Sequence, residues 1–214
     1  MKKVVMIILV ILFLLMTVAI SGIIYFKSSL PSREDYTHLI EPRIVFKDDV
    51  KSVKVRFNGD PDMVVKEAFK KLYKIYYGIK DVPKMKGQPA PVARYEDFDE
   101  LFKNFNQKKL KEMDWKGFVE IPVPGNIMML PEEAGLSPYP AELENLEYGM
   151  VGEIVHFGPY EEESTAIGKL FKHISDKGYK ISGLHEEEYI IGPGMPFSKP
   201  GNYITIIRYQ VSEK

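Results

Sequence analysis

Two stretches of the chain repeat one pattern, and that repetition limits the fold more than any other feature. Ala68 and Ala166, and then Leu72 and Leu170, stand at the same separation of 98 positions. Around them, Lys71-Leu72-Tyr73-Lys74-Ile75 echoes Lys169-Leu170-Phe171-Lys172-His173-Ile174 with one residue of slip. Each segment follows a strand-like stretch and a turn, and each leads into further extended chain. Both halves therefore read strand, turn, helix, strand, strand. Two tandem β-α-β-β units predict an α+β fold, an antiparallel sheet with both helices on one face. The other face, if concave, is open to a ligand held between the halves.

Repeat one spans about residues 50–123. Val53, Val55 and Phe57 alternate on one side of Val50–Phe57, as a half-buried strand requires. Asn58-Gly59-Asp60-Pro61 is a turn, and Asp60 or Asp62 is suited to cap the helix that follows. Val65, Ala68, Phe69, Leu72, Tyr73 and Tyr76 give that helix an apolar face. Pro91–Tyr95 reads as a short strand, Asp97 as the cap of an amphipathic segment with Phe98, Leu101, Phe102 and Phe105, and Trp115–Val123 as a strand whose Pro122 marks an edge or bulge. Gly125–Asn145 is a connection with little periodicity.

Repeat two spans about residues 147–211. Met150–Phe157 is a strand and Gly158-Pro159-Tyr160 a turn. Ala166, Ile167, Leu170, Phe171 and Ile174 form a helical stripe that Gly178 stops. Lys180–Ile191 is extended, and Tyr203–Val211 is the final strand.

Ahead of the domain expected over 47–214, residues 28–46 read as a linker punctuated by Pro31 and Pro42. Residues 1–27 read as an anchor. Val4–Phe26 is an uncharged, mainly apolar run that would rise roughly 34 Å as a helix, at about 1.5 Å per residue. Its length favours a transmembrane helix over a signal peptide cut near Ala19-Ile20-Ser21. The expectation is a single-pass protein that meets the membrane through residues 4–26, with the carboxy-terminal domain extracytoplasmic.

Composition removes several chemistries. The chain has no cysteine, which excludes disulfides, thiolate nucleophiles and cysteine-held metals. Beyond residue 27 it carries 26 basic against 30 acidic residues with no basic stripe, so nucleic acid is not an expected partner. The histidines His38, His156, His173 and His185 have no metal-ligand spacing, and no P-loop, dinucleotide fingerprint or Ser/His/Asp arrangement occurs. No metal or cofactor is expected.

Three motifs in order resemble the GyrI-like (gyrase-inhibitor-like) effector-binding family. Val155-His156-Phe157-Gly158-Pro159-Tyr160-Glu161-Glu162 is similar to its G-P-Y-E turn. Gly183–Tyr189, GLHEEEY, is similar to its acidic strand, and Asn202-Tyr203-Ile204-Thr205 leads into a terminal strand. Residues 147–211 carry the resemblance best. It implies a cavity between the two units and a buried glutamate that meets cationic, aromatic or lipophilic small molecules. On this chain the acid falls at Glu187. Strand alternation agrees, placing Glu187 with His185 and Tyr189 and turning Glu186 and Glu188 the other way. Tyr160, Tyr189, Tyr209, Tyr95, Phe118 and Trp115 are then candidate walls of the pocket.

The resemblance implies a small-molecule-binding domain, and the anchor read over residues 4–26, which soluble members of the family lack, makes the expectation a membrane-tethered one. Two alternatives stand beside it. One is a hydrolase of electrophilic compounds with Glu187 as the candidate catalytic residue and Tyr160 or Trp115 nearby. The other is a protein-interaction module of the inhibitor kind. The chain departs from the transcription activators that share the domain, for it carries no helix-turn-helix segment.

Overall fold

A computed structural model describes residues 2–28, 30–84, 87–96, 98, 114–136, 138–196 and 198–214. The chain separates into two units, Met1–Ser32 and Arg33–Lys214.

The first unit is dominated by helix α1, Lys2–Ser28. Among the described residues no helix is long and apolar enough to cross a membrane. This finding overturns the transmembrane helix expected over residues 4–26. The membrane partner and the single-pass, extracytoplasmic placement that rested on it fall with it.

The second unit is an α+β fold built on one antiparallel sheet. Its strands are β1 (Arg43–Lys47), β2 (Val50–Gly59), β3 (Val92–Tyr95), β4 (Trp115–Pro122), β5 (Ala141–Leu146), β6 (Gly149–Phe157), β7 (Tyr179–Ile181), β8 (His185–Ile191) and β9 (Ile204–Glu213). Their order across the sheet is β1-β6-β9-β8-β3-β4-β2-β5, with β7 paired to β9. The order displays the duplication. One repeat supplies β2, β4 and β3, the other supplies β6, β9 and β8, and the two meet where β3 pairs with β8. β4 and β9 are equivalent strands of the two repeats and each pairs within its own half.

Helices α2 (Pro61–Gly78) and α3 (Ser164–Asp176) cover the same face of this sheet, each over its own repeat. Under α2, Ala68, Leu72, Ile75 and Tyr76 pack on Val53, Val55, Phe57, Val119 and Ile121. Under α3, Ile167, Leu170 and Ile174 pack on Ile154, Ile207 and Tyr209. Leu72 and Leu170, the pair that revealed the repeat, are both fully buried, and burial of such a side chain is worth roughly 1.5–3 kcal/mol. Gly152 lets α3 lie close, since a Cβ there would stand 2.9 Å from Ile174. Gly158 turns the chain from β6 towards α3 at φ +133°, a conformation open to glycine.

Three segments carry more regular structure than periodicity suggests. Residues 33–39 form a 3-10 turn that buries Leu39, and β1 follows as an edge strand on β6. Within the connection before repeat two, β5 pairs with β2 on the opposite edge. An edge strand needs one partner and one apolar side, which leaves a faint signal in sequence. The extended stretch 180–191 divides into β7 and β8 at Gly183, where a Cβ would strike the Gln210 side chain at 2.4 Å. Of the amphipathic segment expected after Asp97, only Phe98 lies within the described residues.

Candidate functional site

The junction of the repeats fixes the site. Across β3, β8 and β9, Ala93, Glu187 and Ile207 lie side by side, and Ala93 and Ile207 belong to the cores under α2 and α3. Glu187 therefore faces the helix-bearing side, in the gap between the cores of the two repeats. The register turns Glu187 towards the helices and away from the face that the sequence suggested would be open to a ligand. That face is filled at β8 by an ion network.

Glu187 is 6% exposed. Its Oε1 lies 2.8 Å from His185 Nε2, and its Oε2 accepts from the Tyr189 hydroxyl at 2.6 Å. With that proton committed, the Tyr95 hydroxyl is the donor in its 2.9 Å bond to the Tyr189 oxygen. His185 Nδ1 lies 2.7 Å from the Tyr209 hydroxyl. The His185 ring thus bridges Glu187 at Nε2 and Tyr209 at Nδ1. Phe98 stacks on the His185 ring at 3.5 Å and 5°.

A second carboxyl reaches the same place. Glu163, in the turn before α3, is 5% exposed and shares a side-chain hydrogen bond with Glu187. Burial, and then the charge of Glu187, pushes its carboxyl well above the usual carboxylate range. Two carboxyls in one dry site cannot both ionise cheaply, so Glu163 holds the proton and donates it to Glu187. The Tyr160 hydroxyl is buried without a hydrogen-bond partner. Burial, with Glu187 next, raises the hydroxyl groups of Tyr160, Tyr189 and Tyr95 above the ordinary tyrosine range, so all three stay protonated donors at neutral pH.

Most of the aromatic residues singled out in the sequence surround this acid pair. Tyr160 meets Tyr189 edge-on at 5.7 Å, and Trp115 meets Tyr95 edge-on at 5.4 Å. Tyr209 is reached through His185. Phe118 is the exception. Alternation along β4 turns Gly117 and Val119 towards the helices and Phe118 away, where Lys54 Nζ and Arg56 Cζ lie 4.1 and 4.4 Å from its ring centroid. Glu163 is the acid that motif reading passed over. Its signal was the third glutamate of Glu161-Glu162-Glu163, just beyond the G-P-Y-E turn.

On the reverse face Arg94 Nη2 and Nε bind Glu186 Oε2 at 2.6 and 2.9 Å. Arg208 joins Glu186, Glu188 and Glu153 at 3.1, 2.6 and 2.7 Å. Burial alone would raise Glu153, but Arg208 and Arg43 hold it below the usual range. An open cleft of about 580 Å³ lies apart from both clusters, between the end of β6 and the start of α3, lined by His156, Phe157, Glu161 and Glu162 among others. Among the described residues no group of acidic and histidine side chains is arranged to hold a metal ion.

No protein-family model and no curated protein matches the chain. Solved structures match its fold. A hydrolase from Listeria innocua is 17% identical with a TM-score of 0.63, over 84% of this chain and 96% of that one. An uncharacterized conserved protein from Listeria innocua is 20% identical with a TM-score of 0.66, over the same shares. The C-terminal domain of EcmrR is 16% identical with a TM-score of 0.51, over 81% of this chain and 98% of that domain. At these identities the likeness establishes a shared fold, one compatible with the GyrI-like resemblance.

Proposed function

We propose that the domain is a GyrI-like small-molecule-binding module that takes aromatic or lipophilic cations against Glu187. The observation that carries this is a buried carboxylate with no lysine or arginine partner among the described residues. A buried anion costs several kcal/mol unless a cation answers it. Here its hydrogen-bond donors are a histidine, a tyrosine and a second carboxyl. The surrounding rings offer π-faces, which favour an aromatic or onium cation. Likeness to the C-terminal domain of EcmrR adds support at the level of fold.

The test is a thermal shift of the full chain with tetraphenylphosphonium. Saturation at about a hundred times Kd is worth about 2.7 kcal/mol, or roughly 5–10 °C for a chain of this size. Glu187→Gln is expected to abolish the shift. An equal shift in both proteins, or none in either, sinks the reading.

A second reading is hydrolysis of a small electrophile. Two observations favour it: a proton-bearing Glu163 in contact with Glu187, which is an acid beside a base, and a structural neighbour described as a hydrolase. Release of chromophore from a panel of activated esters, lost in Glu187→Gln, supports it. Turnover that survives that change counts against it.

A further inference from the structure

We propose that the outer edge of β6, beyond the reach of β1, is a docking groove for an extended peptide that carries a basic side chain. β1 covers β6 from Gly149 to Glu153, where Arg43 stands opposite Glu153. On the other side β9 continues as far as Phe157. Over residues 154–157, then, β6 has a strand on one side and none on the other among the described residues. Antiparallel pairing turns the backbone groups of alternate residues to opposite edges. The Gly158 N–H donates to the Tyr203 carbonyl at 3.2 Å, which continues the ladder to β9 and assigns Ile154 and His156 to that side. Val155 and Phe157 therefore direct their N–H and C=O groups outwards, and among the described residues no backbone group bonds them there. Such an edge is a template for a further strand.

The open cleft of about 580 Å³ lies along this edge and has a wall on each face of the sheet. Ile40 lines it beside Leu39, which packs with Val155 on the reverse face, and Ala166 lines it from the core under α3. Continuity with β1 sets the register. A segment antiparallel to β6 and in line ahead of β1 places two residues opposite Val155 and Phe157 for main-chain bonds. The residue between them lies opposite His156, on the α3 side. The charge there is acidic. Glu161 and Glu162 line the cleft, are exposed and have no ion pair among the described residues, against one lysine, Lys169. A Cβ at Gly158 would stand 3.5 Å from Glu162 Oε2 and 3.7 Å from His156 Nε2, so this carboxylate sits beside the ring that the incoming side chain faces. His156 is itself committed, with Nε2 2.9 Å from the Pro159 carbonyl oxygen. A lysine or arginine opposite His156 thus meets a carboxylate, and an acidic side chain is repelled. The groove lies two strands from β8, across β9, and does not depend on ligand binding at Glu187.

A fluorescein-labelled peptide of about six residues, alternating valine and lysine and titrated into the full chain with anisotropy as the readout, tests this. Two N-methylated forms separate strand addition from charge attraction. Methyls on the valine nitrogens, which face β6 in this register, weaken binding about tenfold or more, because they remove the main-chain donors. Methyls on the lysine nitrogens, which face away, leave it within about twofold. Glu161→Lys combined with Glu162→Lys changes two exposed side chains and weakens the lysine peptide a few-fold, while a peptide with glutamate in place of lysine gains by a similar factor. Equal affinity of the two methylated peptides, or no binding of the parent peptide, overturns the inference. Indifference to the charge reversal overturns the choice of a basic partner. Sedimentation of the chain alone as a dimer that the peptide does not dissociate overturns it as well, since a second copy then holds the edge.

Discussion

Glu186 and Glu187 are neighbours on β8, exposed by 3% and 6%, yet the two faces of the sheet receive them differently. Glu186 turns to the reverse face and meets two guanidinium groups and the Tyr148 hydroxyl. Glu187 turns to the helix-bearing face and meets a histidine, a tyrosine and a second carboxyl. The first arrangement neutralises charge within the fold. The second leaves one negative charge in a ring of aromatics. A single strand thus separates a structural strut from a candidate binding site, because side-chain alternation changes the solvent each carboxylate sees.

Removing a cation from the strut gives the largest expected effect. Arg208 holds Glu153, Glu186 and Glu188 together and is itself buried. Arg208→Met leaves Glu186 to Arg94 and Glu153 to Arg43, and breaking a buried pair of this kind costs about 3–5 kcal/mol. Urea denaturation should report that loss, whereas Glu187→Gln on the other face should not lower stability, because it removes a buried charge that no lysine or arginine among the described residues answers. A loss below ~1 kcal/mol for Arg208→Met breaks the comparison, since the two faces would then be energetically alike.

Glu120 tests whether the reverse face is fully neutralised. It projects from β4, and burial raises its carboxyl to about 7, with Arg94 and Lys54 opposing the rise. One of its oxygens is buried without a partner. Between the ordinary value near 4.5 and about 7, the folded chain holds a proton that the unfolded chain has released. Stability therefore falls as pH rises through that window, by roughly 3 kcal/mol at 1.36 kcal/mol per unit. Glu120→Gln should flatten this part of the stability profile in denaturation series from pH 4.5 to 7. An unchanged slope would mean that the arginines already keep Glu120 ionised.

The sequence carried more of the scaffold than of the site. The 98-residue spacing of Leu72 and Leu170 reflects two helices that pack on one face of one sheet, so a core pattern was enough to find them. Alternation separated Glu187 from its neighbours because β8 is regular from Glu186 to Tyr189. The edge strands β1 and β5 were faint, each being held by a single partner. Phe118 was misplaced because aromatic character says nothing of which side of a strand a ring occupies. Glu163 and the arginine network were silent for a deeper reason. Both arise from register between distant strands and turns, which pairs Arg94 with Glu186 and brings Glu163 to Glu187. The apolar run 4–26 shows the opposite failure, in which hydropathy alone promised a membrane span that the described helix does not provide.

The smallest expected effect separates the faces most finely. Tyr95→Phe and Tyr148→Phe each delete one hydroxyl that serves a buried carboxylate, and each should cost about 0.5–1.5 kcal/mol. On the reverse face Glu186 keeps its guanidinium bonds when Tyr148 loses its oxygen, so a cation on the other side should bind as before. On the helix-bearing face Tyr95 polarises Tyr189, which in turn holds Glu187. The Tyr95 ring stays packed against Phe57 at 5.9 Å and Trp115 at 5.4 Å, so loss of the hydroxyl alters the relay without emptying the core. Tetraphenylphosphonium affinity, measured by titration at fixed ionic strength, should weaken a few-fold in Tyr95→Phe and stay within error in Tyr148→Phe, because a chain of hydrogen bonds transmits polarisation only along its own members. Equal losses in the two variants would show that the sheet couples its faces and that the carboxylate of one side feels the network of the other.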